Sequence, residues 1–224
     1  MIMPAGFSIY FISVAAFIML LILQITSVIR KSRNLEEVLN STGNMDSLIN
    51  KNLIGISVLV PAVVFSMILN DSFHPGTLPS GNIDWFAVWF ISIVAVVFFA
   101  FLLEEKSVIT NQFYSKFFPD PIRFYLFSRC LFLIAYEFFF RGVMFENIKE
   151  VAGIEWSIVL NIVAYSAVQI YSSKKEIIGT IPFGLLLCLL TIKLQSVWPA
   201  VTVHLALTLS YEMRLINYQK SWIK

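Results

Sequence analysis

The stretch YEFFFRG, residues 136–142, places a carboxylate and a guanidinium four residues apart in an otherwise aromatic and apolar run. Residues at positions i and i+4 share one face of a helix, so Glu137 and Arg141 can pair. Inside a bilayer, each ionisable residue costs about 2.5–3.5 kcal/mol on insertion scales and is by default functional. Two interpretations stand side by side at this point: a pair that merely neutralises itself, and a pair that takes part in binding or catalysis.

Further polar side chains occur in other apolar segments. His204 lies in VWPAVTVHLALTL and, with a Glu–Arg pair on another span, gives the minimum of a polar site assembled between helices. Asn161 and Gln169 are eight residues apart, close enough to one helix face to enter a common interior, where hydrogen bonding between helices is their simplest role. For Arg129 we expect a structural role, by snorkelling or by joining the same cluster.

The composition indicates where these residues must operate. The chain has 224 residues, of which 58% are hydrophobic and 13% charged, and it contains 21 Phe. A soluble domain is roughly 45–50% apolar even when glycine is counted, so this chain is predicted to lie in a membrane as a single domain, residues 1–224. Cys130 and Cys188 fall in apolar segments and are expected to be packing residues. No nucleic-acid motif, metal site or cofactor is predicted, and Glu137 and His204 alone are too few ligands for a catalytic zinc.

Seven apolar runs are long enough to cross a bilayer as helices, which predicts an all-α, polytopic membrane helical bundle of about seven transmembrane helices. The predicted spans are Phe7–Ile29, Leu53–Asn70, Trp85–Leu103, Ile122–Phe145, Ile154–Tyr171, Ile177–Ile192 and Val197–Leu215. The first is longer than a signal-peptide core and is expected to remain as a span. Pro61 interrupts the second span, Pro199 starts the seventh, and the short sixth span contains Pro182, so a kink or a re-entrant sixth segment stays open.

Basic residues predict the orientation, because short cytoplasmic loops are rich in Lys and Arg. Alternating the sides of the seven spans puts only Lys149 and Lys193 on one side. The other side carries Arg30, Lys31, Arg33, Lys51, Lys106, Lys116, Arg123, Lys174, Lys175, Arg214, Lys220 and Lys224. We therefore expect a multi-pass cell-membrane protein with its N-terminus outside and its C-terminus in the cytoplasm. The segment Arg30–Asn52 is expected to be a solvated cytoplasmic loop, and Asp71–Asp84 an exposed turn.

YEFFFRG, the later span with YSAVQ, the helix with FGLLLCLL and the segment SVWPAVTVHLALTLS together resemble the CPBP family of intramembrane proteases. That family includes the CAAX prenyl proteases and bacteriocin-processing or immunity proteins. The resemblance covers a core of about residues 122–211. It implies three motifs: a pair of glutamates followed by an arginine, usually within FRG; Phe-x-x-x-His; and His-x-x-x-Asn or Asp.

The resemblance assigns roles residue by residue. Glu137 matches the second glutamate, Arg141 the arginine and His204 the histidine of the last motif. Three further motif positions carry different residues: Tyr136 replaces the first glutamate, Gln169 the second-motif histidine and Thr208 the final Asn or Asp. In the family, the first glutamate and the second-motif histidine are thought to activate a water, while the last His and Asn stabilise the oxyanion.

The chemistry of the replacements can be judged without the family. A phenol is a poor base at neutral pH, and a glutamine amide can hold a water but cannot accept its proton. General-base assistance is worth about 10²–10⁴ in rate, so hydrolysis should be very slow unless Glu137 takes over that role. The hydroxyl of Thr208 keeps a donor that can partly replace Asn.

Three hypotheses follow. In the first, the protein keeps the fold but has a degenerate protease site, and it binds a membrane protein partner or a hydrophobic or lipidated peptide among the membrane lipids. In the second, it is an active endopeptidase with Glu137 as base and with His204 and Thr208 as oxyanion donors. In the third, which is favoured least because no repeated halves are visible, it is a small transporter subunit.

Overall fold

A computed structural model of the chain describes residues 5–40, 44–69, 77–102, 120–169 and 174–222. Within these ranges, side chains are described for residues 9–217 except 174–178. These stretches are helical, with short connections and no strand among them. The described elements are α1 (Ala5–Ile29), α2 (Leu35–Asn40), α3 (Met45–Leu69), α4 (Ile83–Leu102), α5 (Pro121–Glu137), a π-helical segment (Phe138–Met144), α6 (Phe145–Val168), α7 (Lys174–Leu194) and α8 (Trp198–Trp222). The predicted all-α membrane bundle is confirmed.

By length and composition, four helical stretches of the described chain can cross a membrane: Ile9–Ile29, Met45–Leu69, Ile83–Leu102 and Pro121–Val168. The last of these is broken within α6 by Gly153, whose φ of 82° and ψ of 173° are not helical. A positive φ of this kind is open to glycine at little cost, so the chain can turn here. This turn at Gly153 falls between the predicted fourth span and the predicted fifth span. Gly179–Leu194 within α7 is a shorter apolar helix.

The prolines act as helix residues and not as breaks. Pro61 lies inside α3 and Pro182 inside α7. Helix α8 begins at Trp198, which puts Pro199 in its first turn as predicted, where a missing backbone N–H costs nothing.

The prediction of a solvated loop over Arg30–Asn52 is wrong in part. Helix α2 occupies the middle of the segment, and α3 begins at Met45. Leu35, Val38 and Leu39 of α2 are buried. They pack with residues of α3, α5 and α8 in one apolar cluster, so the segment folds against the end of the bundle. Of the predicted turn at 71–84, residues 71–76 lie outside the described residues.

Helix α1 ends in a Schellman motif. The backbone N–H of Ser32 donates to the carbonyl of Ser27, and that of Lys31 donates to the carbonyl of Val28. Lys31 takes a φ of 50°, a conformation that this motif needs at the residue after the C-cap, here Arg30, and that glycine adopts most cheaply. This motif fixes where the chain leaves α1, and therefore where Arg30 and Ser32 lie.

Helix α3 is packed between α1 and α5, while α4 lies against α8 and α6 against α7. The approach of α3 to α5 is close, because a Cβ added to Gly55 would lie 2.4 Å from a ring atom of Phe132. Helix α4 leaves Phe90, Phe98 and Phe99 exposed. Such apolar faces suit hydrocarbon in a membrane bundle.

Contacts between helix ends bring several basic residues together at one end of the bundle. Lys51 donates to the carbonyl of Arg33, and Tyr125 packs in a cluster with the far end of α8, so the end of α1 and the starts of α3 and α5 lie together. Arg214 donates to the carbonyls of Ala100 and Phe101 at the end of α4, which joins the same end. We call this the basic end of the bundle.

Candidate functional site

Glu137 is the last residue of α5 and lies inside the bundle with no solvent exposure. Its Oε1 lies 2.5 Å from Nδ1 of His204 on α8. Its Oε2 lies 3.3 Å from Nε of Arg141. One buried carboxylate therefore contacts two basic side chains from two elements: one oxygen faces His204 and the other faces Arg141.

Arg141 lies in the π-helical segment and is also fully buried. Its contact with Glu137 is ionic and not an aligned hydrogen bond, and neither Nη atom has a hydrogen-bond partner among the described residues. The guanidinium instead stacks over the ring of Tyr165, with Cζ 4.4 Å from the ring centroid. A desolvated cation–π contact of this kind is worth about 2 kcal/mol. The ion pair with Glu137 must offset the remaining free-energy cost of burying the guanidinium.

His204 lies between aromatic rings as well as beside Glu137. The rings of Tyr136, Tyr165 and Phe183 meet it edge-on, with centroids 6.2, 6.3 and 5.5 Å away. Only about a tenth of its side chain is exposed. The imidazole is therefore held in one orientation, with Nδ1 directed at the carboxylate.

Tyr136 belongs to the aromatic packing around the site. Its ring contacts Phe132, Phe140 and Tyr165, at centroid distances of 5.6, 4.5 and 5.7 Å. Its hydroxyl is buried and makes no hydrogen bond within the described part of the chain. The position where the family resemblance expects a glutamate is thus filled by a large ring.

The π-helical segment is the feature that sequence reasoning missed. A π-turn displaces carbonyls from the α-helical ladder, and such turns recur at functional sites. Here Asn161 on α6 donates to the carbonyl of Phe140 at 2.6 Å, and the thiol of Cys188 on α7 donates to the side-chain oxygen of Asn161 at 3.6 Å. The predicted role of Asn161 in hydrogen bonding between helices is confirmed. The run of three phenylalanines carries no signal for the π geometry.

The structure brings together Glu137, Arg141, His204 and, through its ring, Tyr136. Gln169 caps the end of α6 and is half-buried, and its backbone N–H donates to the carbonyl of Ser166. Thr208 is half-buried one helical turn beyond His204. The catalytic roles of all six residues remain predictions.

A second ion pair lies nearer the basic end. Nε of Arg129 on α5 is 3.1 Å from Oε1 of Glu212 on α8. Eight residues separate Arg129 from Glu137, and eight separate His204 from Glu212, so the two contacts are rungs between antiparallel helices. At 1.5 Å per residue the rungs are about 12 Å apart. Arg129, for which a structural role is expected, thus pairs with Glu212. Glu212 is the single acidic residue in the predicted seventh span, and this signal could have identified the pair.

Among the described residues no group of three or more His, Cys, Asp or Glu side chains could hold a metal ion.

Comparison with known proteins finds a match to this part of the chain. Residues 119–210 match the family model of the type II CAAX prenyl endopeptidase Rce1-like proteins. No curated protein and no solved structure matches the chain. The matched stretch contains the Glu137–Arg141 pair, His204 and the three motif positions that carry replacements. Over these residues the chain is similar to the Rce1-like, CAAX-protease-related membrane proteins.

Proposed function

We propose that this protein binds a membrane protein partner or a hydrophobic or lipidated peptide through its CAAX-protease-like core without cutting it efficiently. One observation carries the proposal: the one carboxylate at the centre of the site is fully buried, with one oxygen at His204 and the other in an ion pair with Arg141. A cation beside a carboxylate favours its charged form, so this carboxylate is a weaker base towards a water. The protein would then keep the polar core for the stability and shape of the bundle.

The neighbouring position supports this proposal. Tyr136 stands where the family resemblance expects a second carboxylate, and its ring packs within the aromatic cluster. A phenol titrates near pH 10 in peptides and is a weak base at neutral pH. Together with glutamine at position 169, the site lacks the two proton acceptors that the resemblance implies, and general-base assistance is worth about 10²–10⁴ in rate.

An active endopeptidase is the second candidate, and the contact between His204 and Glu137 is the observation that favours it. A carboxylate 2.5 Å from an imidazole nitrogen can orient that imidazole and stabilise its charged form. In this mechanism Glu137 is the base, and His204 with Thr208 donates to the oxyanion. The water would have to reach a carboxylate that is fully buried.

Peptide binding and cleavage by one detergent preparation distinguish the two candidates. The assay compares the wild type with Glu137→Gln, and uses a fluorogenic peptide with and without a prenyl group. Glu146→Gln is the matched control, since Glu146 is a part-exposed glutamate paired with Lys149 on the same stretch of helix. Peptide binding without cleavage is expected for the wild type, for Glu146→Gln and for the folded fraction of Glu137→Gln. Cleavage that Glu146→Gln keeps and that folded, peptide-binding Glu137→Gln loses would overturn the proposal in favour of the endopeptidase.

We also propose that the protein lies in the cell membrane with its basic end towards the cytoplasm, its N-terminus outside and its C-terminus inside. The grouping of Arg33, Lys51 and Arg214 at one end of the bundle supports this orientation.

A further inference from the structure

A groove of about 310 Å³ lies between α1 and α3, away from the Glu137 site. We call it the α1–α3 groove. One part of its lining is apolar, with Met19 and Ile22 from α1 and Ile54 from α3; the other part carries Arg30, Lys51 and several hydroxyl side chains. Its volume is at the lower end of the roughly 300–1,000 Å³ typical of small-molecule sites.

The two parts of the lining follow the axis of the bundle. Met19 and Arg30 are eleven residues apart on or just past α1, which corresponds to about 16 Å along a helix. Met19, Ile22 and Ile54 are each roughly half exposed, at 53%, 53% and 46%, so the apolar part is open to the surroundings of the helices. In a membrane those surroundings are hydrocarbon chains, while the cationic part lies at the basic end, where the headgroups begin.

The charge of the cationic part is not cancelled within the groove. Its lining includes Arg30 and Lys51 and no acidic residue. Lys51 is 7% exposed, and its ammonium donates to the carbonyl of Arg33 at 2.6 Å. A lysine amine that makes this one bond keeps at least one further N–H for an acceptor in the groove, and an anion there favours its charged form. The nearby carboxylate of Glu37 is held by the backbone N–H and guanidinium of Arg33.

We propose that the α1–α3 groove is a binding site for one anionic phospholipid. Its phosphate meets Arg30 and Lys51, and one acyl chain follows the apolar lining towards Met19. A free anion would use only the cationic end and would leave the apolar length of the groove unexplained. A zwitterionic lipid would bring its own cation against Arg30 and Lys51. Neither the Glu137 site nor its activity enters this proposal.

Native mass spectrometry of the full chain in detergent tests the site. The protein is titrated with phosphatidylglycerol and with phosphatidylcholine of the same acyl chains, and the first bound lipid is quantified. Phosphatidylglycerol should bind more tightly to the wild type, and Arg30→Gln should weaken it on the order of fivefold, since one cation near an anionic headgroup is worth about that factor. Ile22→Trp, which fills the apolar part, should weaken both lipids.

Two control variants match these changes in charge and bulk. Arg123→Gln removes an exposed arginine at the basic end, and Val14→Trp adds bulk to an exposed position of α1; neither residue lines the groove. Both controls should bind phosphatidylglycerol as the wild type does. Equal affinity for the two lipids, unchanged binding by Ile22→Trp, or displacement of phosphatidylglycerol by inorganic phosphate alone would overturn the proposal. The last of these outcomes would identify a free-anion site.

Discussion

At the scale of single residues, Glu137 is the centre of the site because it compensates a fully buried guanidinium. Replacing Glu137 with Gln leaves Arg141 charged and without a counter-ion. Losing one partner of a buried pair costs about 3–5 kcal/mol, so Glu137→Gln should lower the apparent Tm in detergent substantially. Glu146→Gln should leave it nearly unchanged, and replacing both members of the buried pair, as Glu137→Leu with Arg141→Met, should recover much of the loss. An unaltered Tm for Glu137→Gln alone would show that Arg141 has another counter-ion.

A second prediction at this scale concerns Tyr136, whose polar atom should contribute nothing to stability. Its buried hydroxyl makes no hydrogen bond within the described chain, so removing that hydroxyl should cost nothing. Tyr136→Phe is expected to unfold at the same Tm as the wild type or slightly above it, whereas Tyr136→Ala should lose about 3–5 kcal/mol by opening a cavity among the rings. A marked loss of stability in Tyr136→Phe would mean that the hydroxyl is bonded and that the residue does more than pack.

At the same scale, the sequence identified the residues but not their arrangement. Glu137, Arg141 and His204 are visible as polar residues in apolar runs, because hydrocarbon makes such residues rare. Pairing of Glu137 with His204 depends on how α5 and α8 meet, which no local pattern encodes. The stacking of Arg141 on Tyr165 depends in addition on the π-helical segment and on the turn at Gly153.

At the scale of elements, two rungs set the register between α5 and α8. The rung of Arg129 and Glu212 is less enclosed than that of Glu137 and His204, since 23% of the Arg129 side chain is exposed. We therefore expect a smaller cost, about 1–3 kcal/mol, for Glu212→Gln. The charge-exchanged protein Arg129→Glu with Glu212→Arg should regain part of that stability in the same thermal assay. If the exchange were as harmful as two separate losses, the pair would not act as a unit.

A second element-scale prediction concerns the close approach of α3 and α5. A Cβ at Gly55 would enter the ring of Phe132, at 2.4 Å. Gly55→Val should therefore push the helices apart and lower the yield of folded protein, as overpacking typically costs about 1–3 kcal/mol. Adding Phe132→Ala should relieve the clash and raise the yield on size-exclusion chromatography. Gly184→Ala is the control, because a Cβ there meets neighbours only at 3.6 Å or more.

The elements themselves followed from the sequence where apolar runs are long and uninterrupted. Helices α1, α3 and α4 begin and end close to the predicted spans or extend beyond them. The predicted loop over Arg30–Asn52 was wrong in part because α2 is too short and too acidic to show a membrane signal. Its three buried apolar residues stabilise it only against other helices. Such tertiary stabilisation is the usual source of order in short helices.

At the scale of the whole molecule, composition alone was sufficient for the membrane class, and the grouping of basic residues at one end carries the proposed orientation. A reporter that is active only in the cytoplasm, fused to the C-terminus, should be active in intact cells. A tag at the N-terminus should be open to an external protease. The reverse result for both ends would invert the bundle, and it would leave the fold and the internal contacts unaffected.

We propose that the core binds without efficient cleavage because proton acceptors are missing from it. The most direct measurement is the cleavage rate of a prenylated fluorogenic peptide by the protein in liposomes, for the wild type and for the variant Tyr136→Glu, Gln169→His and Thr208→Asn, which restores the three family positions. We expect no cleavage by the wild type above empty liposomes and a gain on the order of 10² or more in the restored variant. Turnover by the wild type that disappears in Glu137→Gln would contradict this proposal.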